Sequence, residues 1–564
     1  MGPYLREHCR IIRTGNAGRK VVALGVRPVR SRSVSPRDEF DEFEAEFDDD
    51  VDGEDDADLD ELGDADSDDP PLNYLGLPVD DEDDSGLGPA FDPDDEDADD
   101  AESAEAPPLT DEQAETLLRR YLEVEQELLG RWPESKLEPS LDRVALAMEL
   151  LGEPNKSFSV IHIAGTNGKT STSRMTESLL RSVGLRTGLY TSPHLHTMRE
   201  RIRLDGEPID MERFVRVYDD IAPILDLADQ QSVAAGGPRM SFFEAITCLA
   251  YAVFADAPVD VAVVEAGMGG RWDATNVADG QVAVVMPIGL DHVEYLGPDI
   301  ATIAGEKAGI IKPDSFVVLA QQQLEAATVL LAQTAEVGGS LAREGLEFGV
   351  VSRLPAIGGQ LLSLQGLAGR YDDIFLPLFG AHQASNASAA VAAVEAFLGG
   401  GEHELSVDLL REGFAAVTSP ARLEVVRRSP TVLIDAAHNP HGVAALASAL
   451  EEAFEFSHLV GVLAVFADKD ARGLLEILEE VLNEAVITQS SSPRAMSAEA
   501  LGELAAEIFG DDRIRIEPKL SAAIELGIQL ADEAASGTGG AGVLVTGSVV
   551  TAAEARALLG RTEA

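Results

Sequence analysis

The sequence predicts an α/β protein: a parallel-sheet N-terminal domain carrying a phosphate loop, then a smaller Rossmann-like α/β C-terminal domain, preceded by a disordered acidic extension. Three observations predict it. Short β-rich runs at residues 160–163, 261–264 and 282–285 alternate with Ala/Leu-rich helical stretches, the pattern of parallel strands covered on both faces. The first run leads into Gly165-Thr166-Asn167-Gly168-Lys169-Thr170-Ser171 and then a helical stretch through Met175, Leu179 and Leu180. A second alternating set follows Pro420, at residues 431–434, 459–463, 485–487 and 543–545.

The N-terminal portion differs in kind. Of 564 residues with a formal charge of −57, residues 38–105 contain 34 acids and no Lys or Arg. Self-repulsion and low hydrophobicity prevent such a segment from offsetting its ordering entropy. Residues 1–108 are therefore expected to be disordered, basic over 1–37 and acidic over 38–105. The acidic part reads as a solvating tail or as a docking segment for an unidentified basic partner. The Arg-rich start loosely resembles a transit peptide; a bacterial extension or a start codon placed too early are the other readings.

Composition also excludes classes. An acidic chain lacks the basic footprint that nucleic-acid binding requires. Cys9 and Cys248 are the only cysteines and lie far apart, so neither a disulfide framework nor a zinc site can be built from them, which favours a cytoplasmic setting. No apolar run approaches the ~18 residues of a membrane span.

Order is expected from about Thr110, where Thr110-Asp111-Glu112-Gln113 supplies helix-start chemistry. Leu117, Leu118, Tyr121, Leu122, Leu128 and Leu129 follow at near-helical spacing. Ser140-Leu141-Asp142-Arg143 opens a second helix. The pattern then divides into a domain at 109–418 and another at 419–564, with the boundary near Thr418–Pro420.

The glycine-rich turn is the first chemical element. Glycines let backbone N–H groups converge, the helix N-terminus adds positive potential, and Lys169 neutralises phosphate oxygens. Thr170 supplies a hydroxyl suited to a place near a metal. The usual phosphate-loop spacing would put a glycine where Ile163 stands. Glu265 ends an apolar strand at a glycine-rich bend, where open α/β sheets place ligands. A carboxylate there suits Mg2+; the lesser alternative is an ion pair with a nearby Arg. His292 follows the strand read at 282–288; on local sequence alone a histidine there is more often structural. Ser192 before Pro193 reads locally as a turn, and Lys307 as an ordinary helix lysine.

The segment Ala164-Gly165-Thr166-Asn167-Gly168-Lys169-Thr170 resembles the amide ligases that include the muramyl-peptide ligases and the folylpolyglutamate synthases. Both make an acyl phosphate from a carboxylate and ATP, then let an amine displace phosphate. Thr170 is the muramyl-ligase-like choice, since the folate branch commonly has Gly there. Other segments resemble the folate branch in the same order: Pro139–Arg143, Tyr190-Thr191-Ser192-Pro193-His194-Leu195, Arg199–Ile202, Phe242–Ala245, Glu265–Asn276, Gly289-Leu290-Asp291-His292 and Glu306–Lys312. By this resemblance Lys169, His292 and Lys307 are catalytic. Ser192, Glu265 and His292 hold two Mg2+ ions, together with Lys307 if it is carbamylated.

The second domain extends the resemblance. Gly380–Ala387 places Asn386 near the nucleotide base, and Pro420–Glu424 places Arg422 on phosphate, with Ala421 where the family usually has Gly. Ile434–Pro440 brings Asp435, His438 and Asn439 together, to contact ATP and help join the domains. Asp468-Lys469-Asp470 and Val545–Ser548 are implied only loosely, in glutamate or nucleotide positioning. The implied enzyme is a cytoplasmic, monomeric dihydrofolate/folylpolyglutamate synthase using ATP, L-glutamate and a dihydropteroate or folate, with no nucleic-acid or membrane partner. The alternative is a muramyl-type ligase of cell-wall precursors.

Overall fold

The computed structural model describes residues 109–132, 138–535 and 540–562. The expected disorder of residues 1–108 lies outside the described residues. Helix Asp111–Leu129 begins at the anticipated Thr110 cap, whose side chain accepts from Gln113 while Gln113 bonds back. Of its apolar positions, Tyr121, Val124 and Leu128 are buried, whereas Leu118, Leu122 and Leu129 face solvent.

The first sheet comprises β1 (Ser159–Ala164), β2 (Thr187–Tyr190), β3 (Ile202–Leu204), β4 (Glu207–Pro208), β5 (Val261–Glu265), β6 (Val282–Val285), β7 (Phe316–Leu319) and β8 (Ser340–Arg343). Their order is β4-β3-β2-β5-β1-β6-β7-β8. The six from β2 to β8 are parallel, and β3–β4 is an antiparallel edge. Alternating residues of β1 serve two cores. Val160 faces helices Asp111–Leu129, Met211–Ala234 and Phe242–Asp256, while Ile161 and Ile163 face helices Lys169–Ser182 and Ala381–Gly399. This two-sided burial is why the strands read as continuous apolar runs.

A three-stranded antiparallel sheet follows, formed by β9 (Gly349–Ala356), β10 (Gly359–Gln365) and β11 (Arg370–Leu376). The sequence pattern did not announce it. Leu362, Leu364 and Ile374 face the core, but Val351 and Leu354 are exposed, so the period-2 signal is weak.

The last sheet contains β12 (Glu424–Arg428), β13 (Thr431–Ile434), β14 (Phe456–Leu463), β15 (Glu484–Gln489), β16 (Ile514–Lys519) and β17 (Gly540–Thr546), ordered β12-β13-β17-β14-β15-β16. All pairings except β12–β13 are parallel. Helices cover both faces. The α/β class, with a larger phosphate-loop sheet and a smaller second sheet, is thus as the sequence predicts. No helix among the described residues is long and apolar enough to cross a membrane.

The strand order matters for chemistry. Because β1 lies between β5 and β6, the segments leaving their carboxyl ends converge. Residues 165–171, Glu265 and the 286–292 segment are therefore neighbours in space although far apart in sequence.

Candidate active site between the two sheets

A cavity of about 900 Å³ opens where the two sheets meet. It is lined by the residues the sequence assigns to catalysis, ATP and metal: the loop Gly165 to Ser171, Ser192, Glu265, His292, Lys307, Asn386, Arg422, Asp435 and His438.

The loop is shaped by close packing. A Cβ on Gly165 would lie 2.6 Å from Met286 Cβ, and one on Gly168 would lie 2.6 Å from Asn386 Oδ1. Gly168 also has φ +87°, a left-handed conformation that glycine adopts without strain. It caps helix Lys169–Ser182, whose first turn faces the cavity. Thr166 ties the loop to the segment after β6: its N–H donates to Pro287 O, and its hydroxyl exchanges hydrogen bonds with Gly289. Lys169 curls back, donating to the carbonyls of Gly165 (3.2 Å) and Thr166 (3.3 Å). Ser171 faces the domain junction, 3.1 Å from the Ser419 hydroxyl. Asn386 donates to Gln383 and lies against Gly168, so the structure seats it behind the phosphate loop.

Glu265, 1% exposed, ends β5 and accepts from the Thr170 hydroxyl at 3.0 Å and from Ser192 N–H at 3.3 Å. Burial raises its pKa, against the opposing charge of Lys169. Lys307, 5% exposed, donates to Gly165 O at 2.9 Å. Burial and then the Lys169 charge lower its pKa to about 7. His292 sits at the carboxyl end of β6's following segment with φ +51°, and burial is the main cause lowering its pKa to about 4.

No three His, Cys, Asp or Glu side chains gather into a metal cage among the described residues. Mg2+ takes one or two carboxylates and completes its shell with phosphates and water. Glu265 and the Ser192 and Thr170 hydroxyls are hard-oxygen donors of that kind, and they line the same cavity as the phosphate loop.

The second sheet supplies the opposite wall. Asp435, at the end of β13, accepts from the N–H groups of Leu423 and Ala437, both at 2.7 Å. Burial raises its pKa, opposed by Arg422. His438 donates from Nδ1 to Ala436 O at 2.9 Å, which leaves Nε2 as the acceptor nitrogen. Burial, with Lys469 next, lowers its pKa to about 4.

Several pairings were not assigned from sequence, although the resemblance already put Asn439 at the join between the domains. Asn439 and Asn167 bond reciprocally across the junction, at 3.3 and 3.2 Å, and His441 Nδ1 lies 2.7 Å from Asn167 Nδ2. Lys469 donates to Asp291 at 2.6 Å. Burial opposes ionisation of Asp291, but the flanking imidazoles and the Lys469 ammonium outweigh it and hold the carboxyl below its usual range. Asp291 stands beside His292 in the Gly289–His292 segment, the one local signal that could have singled it out. A further part of the wall is apolar, with Trp132, Phe243, Met268 and Trp272.

Comparison with known proteins agrees with this geometry. The chain matches the Mur ligase middle domain over residues 221–394 and the Mur ligase, glutamate ligase domain over residues 421–549. It is 53% identical over 457 residues to the dihydrofolate synthase/folylpolyglutamate synthase of Mycobacterium tuberculosis, covering 78% of this chain and 94% of that protein. It is 34% identical over 370 residues to the Bacillus subtilis protein of the same name, covering 65% and 84%. A solved structure of Mycobacterium tuberculosis folylpolyglutamate synthase complexed with ADP superposes with TM-score 0.76 at 52% identity, covering 79% of this chain and 100% of that one. These relatives carry folate-branch names over most of their length, so the cell-wall alternative is the less supported one. The chain belongs to the dihydrofolate synthase/folylpolyglutamate synthase family of ligases.

Proposed function

We propose that the chain joins L-glutamate to the carboxylate of dihydropteroate, of a reduced folate, or of both, at the cost of ATP. The observation that carries it is the convergence of a phosphate loop, a buried carboxylate and an aromatic-lined wall in one cavity between two sheets. Residues 109–418 form the ATP-binding domain in this proposal, and residues 419–564 the glutamate-ligase domain. The relative solved with ADP supports the nucleotide assignment. Trp132, Phe243 and Trp272 offer stacking surface to a flat heterocycle.

ATP lies with its phosphates on residues 165–171, Lys169 and Arg422. The pterin-side carboxylate attacks the γ-phosphorus, a P–O bond forms, and ADP leaves. The glutamate amine then attacks the carbonyl carbon of the acyl phosphate; phosphate departs with the C–O electron pair, the amine loses a proton, and an amide remains. Lys169 and Arg422 hold the phosphoryl charge as it spreads, a task of positioning and electrostatics. The Asn167–Asn439–His441 contacts keep the two walls together, which excludes water from the acyl phosphate.

Ser192 and Glu265 would hold a first Mg2+, and Glu265, His292 and carbamylated Lys307 a second. Bound there, the metal supplies neutralising charge to phosphate oxygens. Lys307 suits carbamylation because an amine with a pKa near 7 has a large neutral fraction able to add CO2. The enzyme acts as a cytoplasmic monomer in this proposal, consistent with its sparse, separated cysteines.

Phosphate release with ATP and glutamate, measured with dihydropteroate and separately with tetrahydrofolate, tests the assignment. Turnover with either or both is expected; turnover with neither refutes it.

A further inference from the structure

The loop after β2 starts in the first domain and finishes against the second. Leu195 packs on the core of the last sheet, in the cluster that contains Ala421 and Ala552. The next residue, His196, accepts at Nε2 from the Arg556 guanidinium at 2.8 Å. Arg556 lies on helix Val549–Leu558 and is 3% exposed. Its Nε donates at 2.8 Å to Glu424 Oε2, and the same oxygen accepts the Ala421 N–H at 2.8 Å. On the other side, Glu200 accepts the N–H groups of Leu195, His196 and Thr197 at 2.8, 2.9 and 2.8 Å.

Arg422 therefore sits in an unusual strap. Its neighbours Ala421 and Leu423 have φ +57° and +47°, left-handed values that non-glycine residues keep only when the surroundings over-determine them. Glu424 holds the first neighbour through its N–H, and Asp435 holds the second. Arg556, His196 and Glu424 do not line the cavity, whereas Arg422 and Ser192 do.

We propose that Arg556, bridging Glu424 and His196, is a positioning residue that fixes the Arg422 strap and couples it to the loop carrying Ser192. This rests on the assignment of Arg422 to the nucleotide phosphates. Arg556 touches no reacting group; it acts through Glu424 on one side and the 192–197 loop on the other.

The test is a double-mutant cycle in the full-length chain. Arg556→Met and Arg422→Ala are made singly and together, with kcat/KM for ATP and the Kd of a non-hydrolysable ATP analogue as readouts. Arg556→Met is expected to lower kcat/KM for ATP by about tenfold or more, leaving KM for the pterin substrate within about twofold, and Arg556→Lys to restore part of the loss. In the Arg422→Ala background the same substitution should cost less than about twofold. An equal loss in both backgrounds overturns the proposal and leaves Arg556 a purely structural ion pair. A silent Arg422→Ala removes the phosphate assignment and the proposal with it. Should Arg556→Met fail to fold, His196→Ala at the more accessible end and Glu424→Gln run the same cycle.

Discussion

Lys307 Nζ donates a 2.9 Å hydrogen bond to the carbonyl of Gly165, the first residue of the phosphate loop. Lys307, at the end of helix Ile300–Lys307, therefore packs against the loop that carries Lys169, and the Lys169 charge adds to burial in lowering the Lys307 pKa. Lys307→Ala is expected to reduce kcat about 100-fold or more without recovery on adding bicarbonate. The parent enzyme, depleted of CO2, should regain activity with bicarbonate. An active Lys307→Ala enzyme indifferent to bicarbonate would sink the carbamate assignment.

Lys169 has a simpler role. Lys169→Ala should abolish phosphate release while leaving the thermal transition within a few degrees of the parent, because the side chain bonds only to carbonyls of its own loop. Full activity in that variant would contradict the phosphate-loop assignment.

Thr170 contacts both oxygens of Glu265. Removing the hydroxyl while keeping the volume, in Thr170→Val, leaves a buried carboxylate short of a donor. Turnover should fall about tenfold or more, and Thr170→Ser should recover most of it. Equal activity in Val and Ser variants would show that the hydroxyl is dispensable.

His162, in the middle of β1, is fully buried and has its pKa lowered to about 3, chiefly by burial and then by Lys312. The Thr275 hydroxyl donates to Asp273, so it accepts from His162 Nε2, and Nδ1 has no hydrogen-bond partner among the described residues. The unfolded chain takes up this proton first as pH falls below about 6.5, so stability is full above that pH and declines on acidification toward about 3. Urea unfolding at pH 7 and pH 5 should show about 2 kcal/mol less acid sensitivity in His162→Gln than in the parent. Parallel acid losses in the two proteins would refute this.

Ala421→Gly is expected to change unfolding free energy by less than about 1 kcal/mol. Relief of the left-handed strain at φ +57° offsets the loss of a buried methyl and the added freedom of the unfolded chain. A much larger destabilisation would mean that Ala421 contributes by packing alone.

The legible parts of the molecule were those with local signals. The buried strands β1, β5 and β6 announce themselves by consecutive apolar residues, and Gly165 to Ser171 by a glycine turn between strand and helix. The β9–β11 sheet lacked such a signal because one of its faces is largely exposed, with Val351, Leu354 and Phe375 toward solvent. Within the site, the motifs mark residues that line one cavity, but not the partners they meet there. Asp291 meets Lys469 across 178 positions and Asn167 meets His441 across 274. Pairings of that range depend on how two folded sheets meet, which no periodicity records. Even Ala421, a departure from the glycine usual in the family, became intelligible only when its φ was known.

Leu195 gives the two domains a shared inheritance. Its peptide belongs to the first domain and its side chain to the core of the second. Recombination that swapped residues 421–562 for those of a distant relative would replace the seat of a residue that stayed behind. Such chimeras should work best when the 192–197 loop is exchanged too, so the natural unit of transfer is discontinuous in sequence.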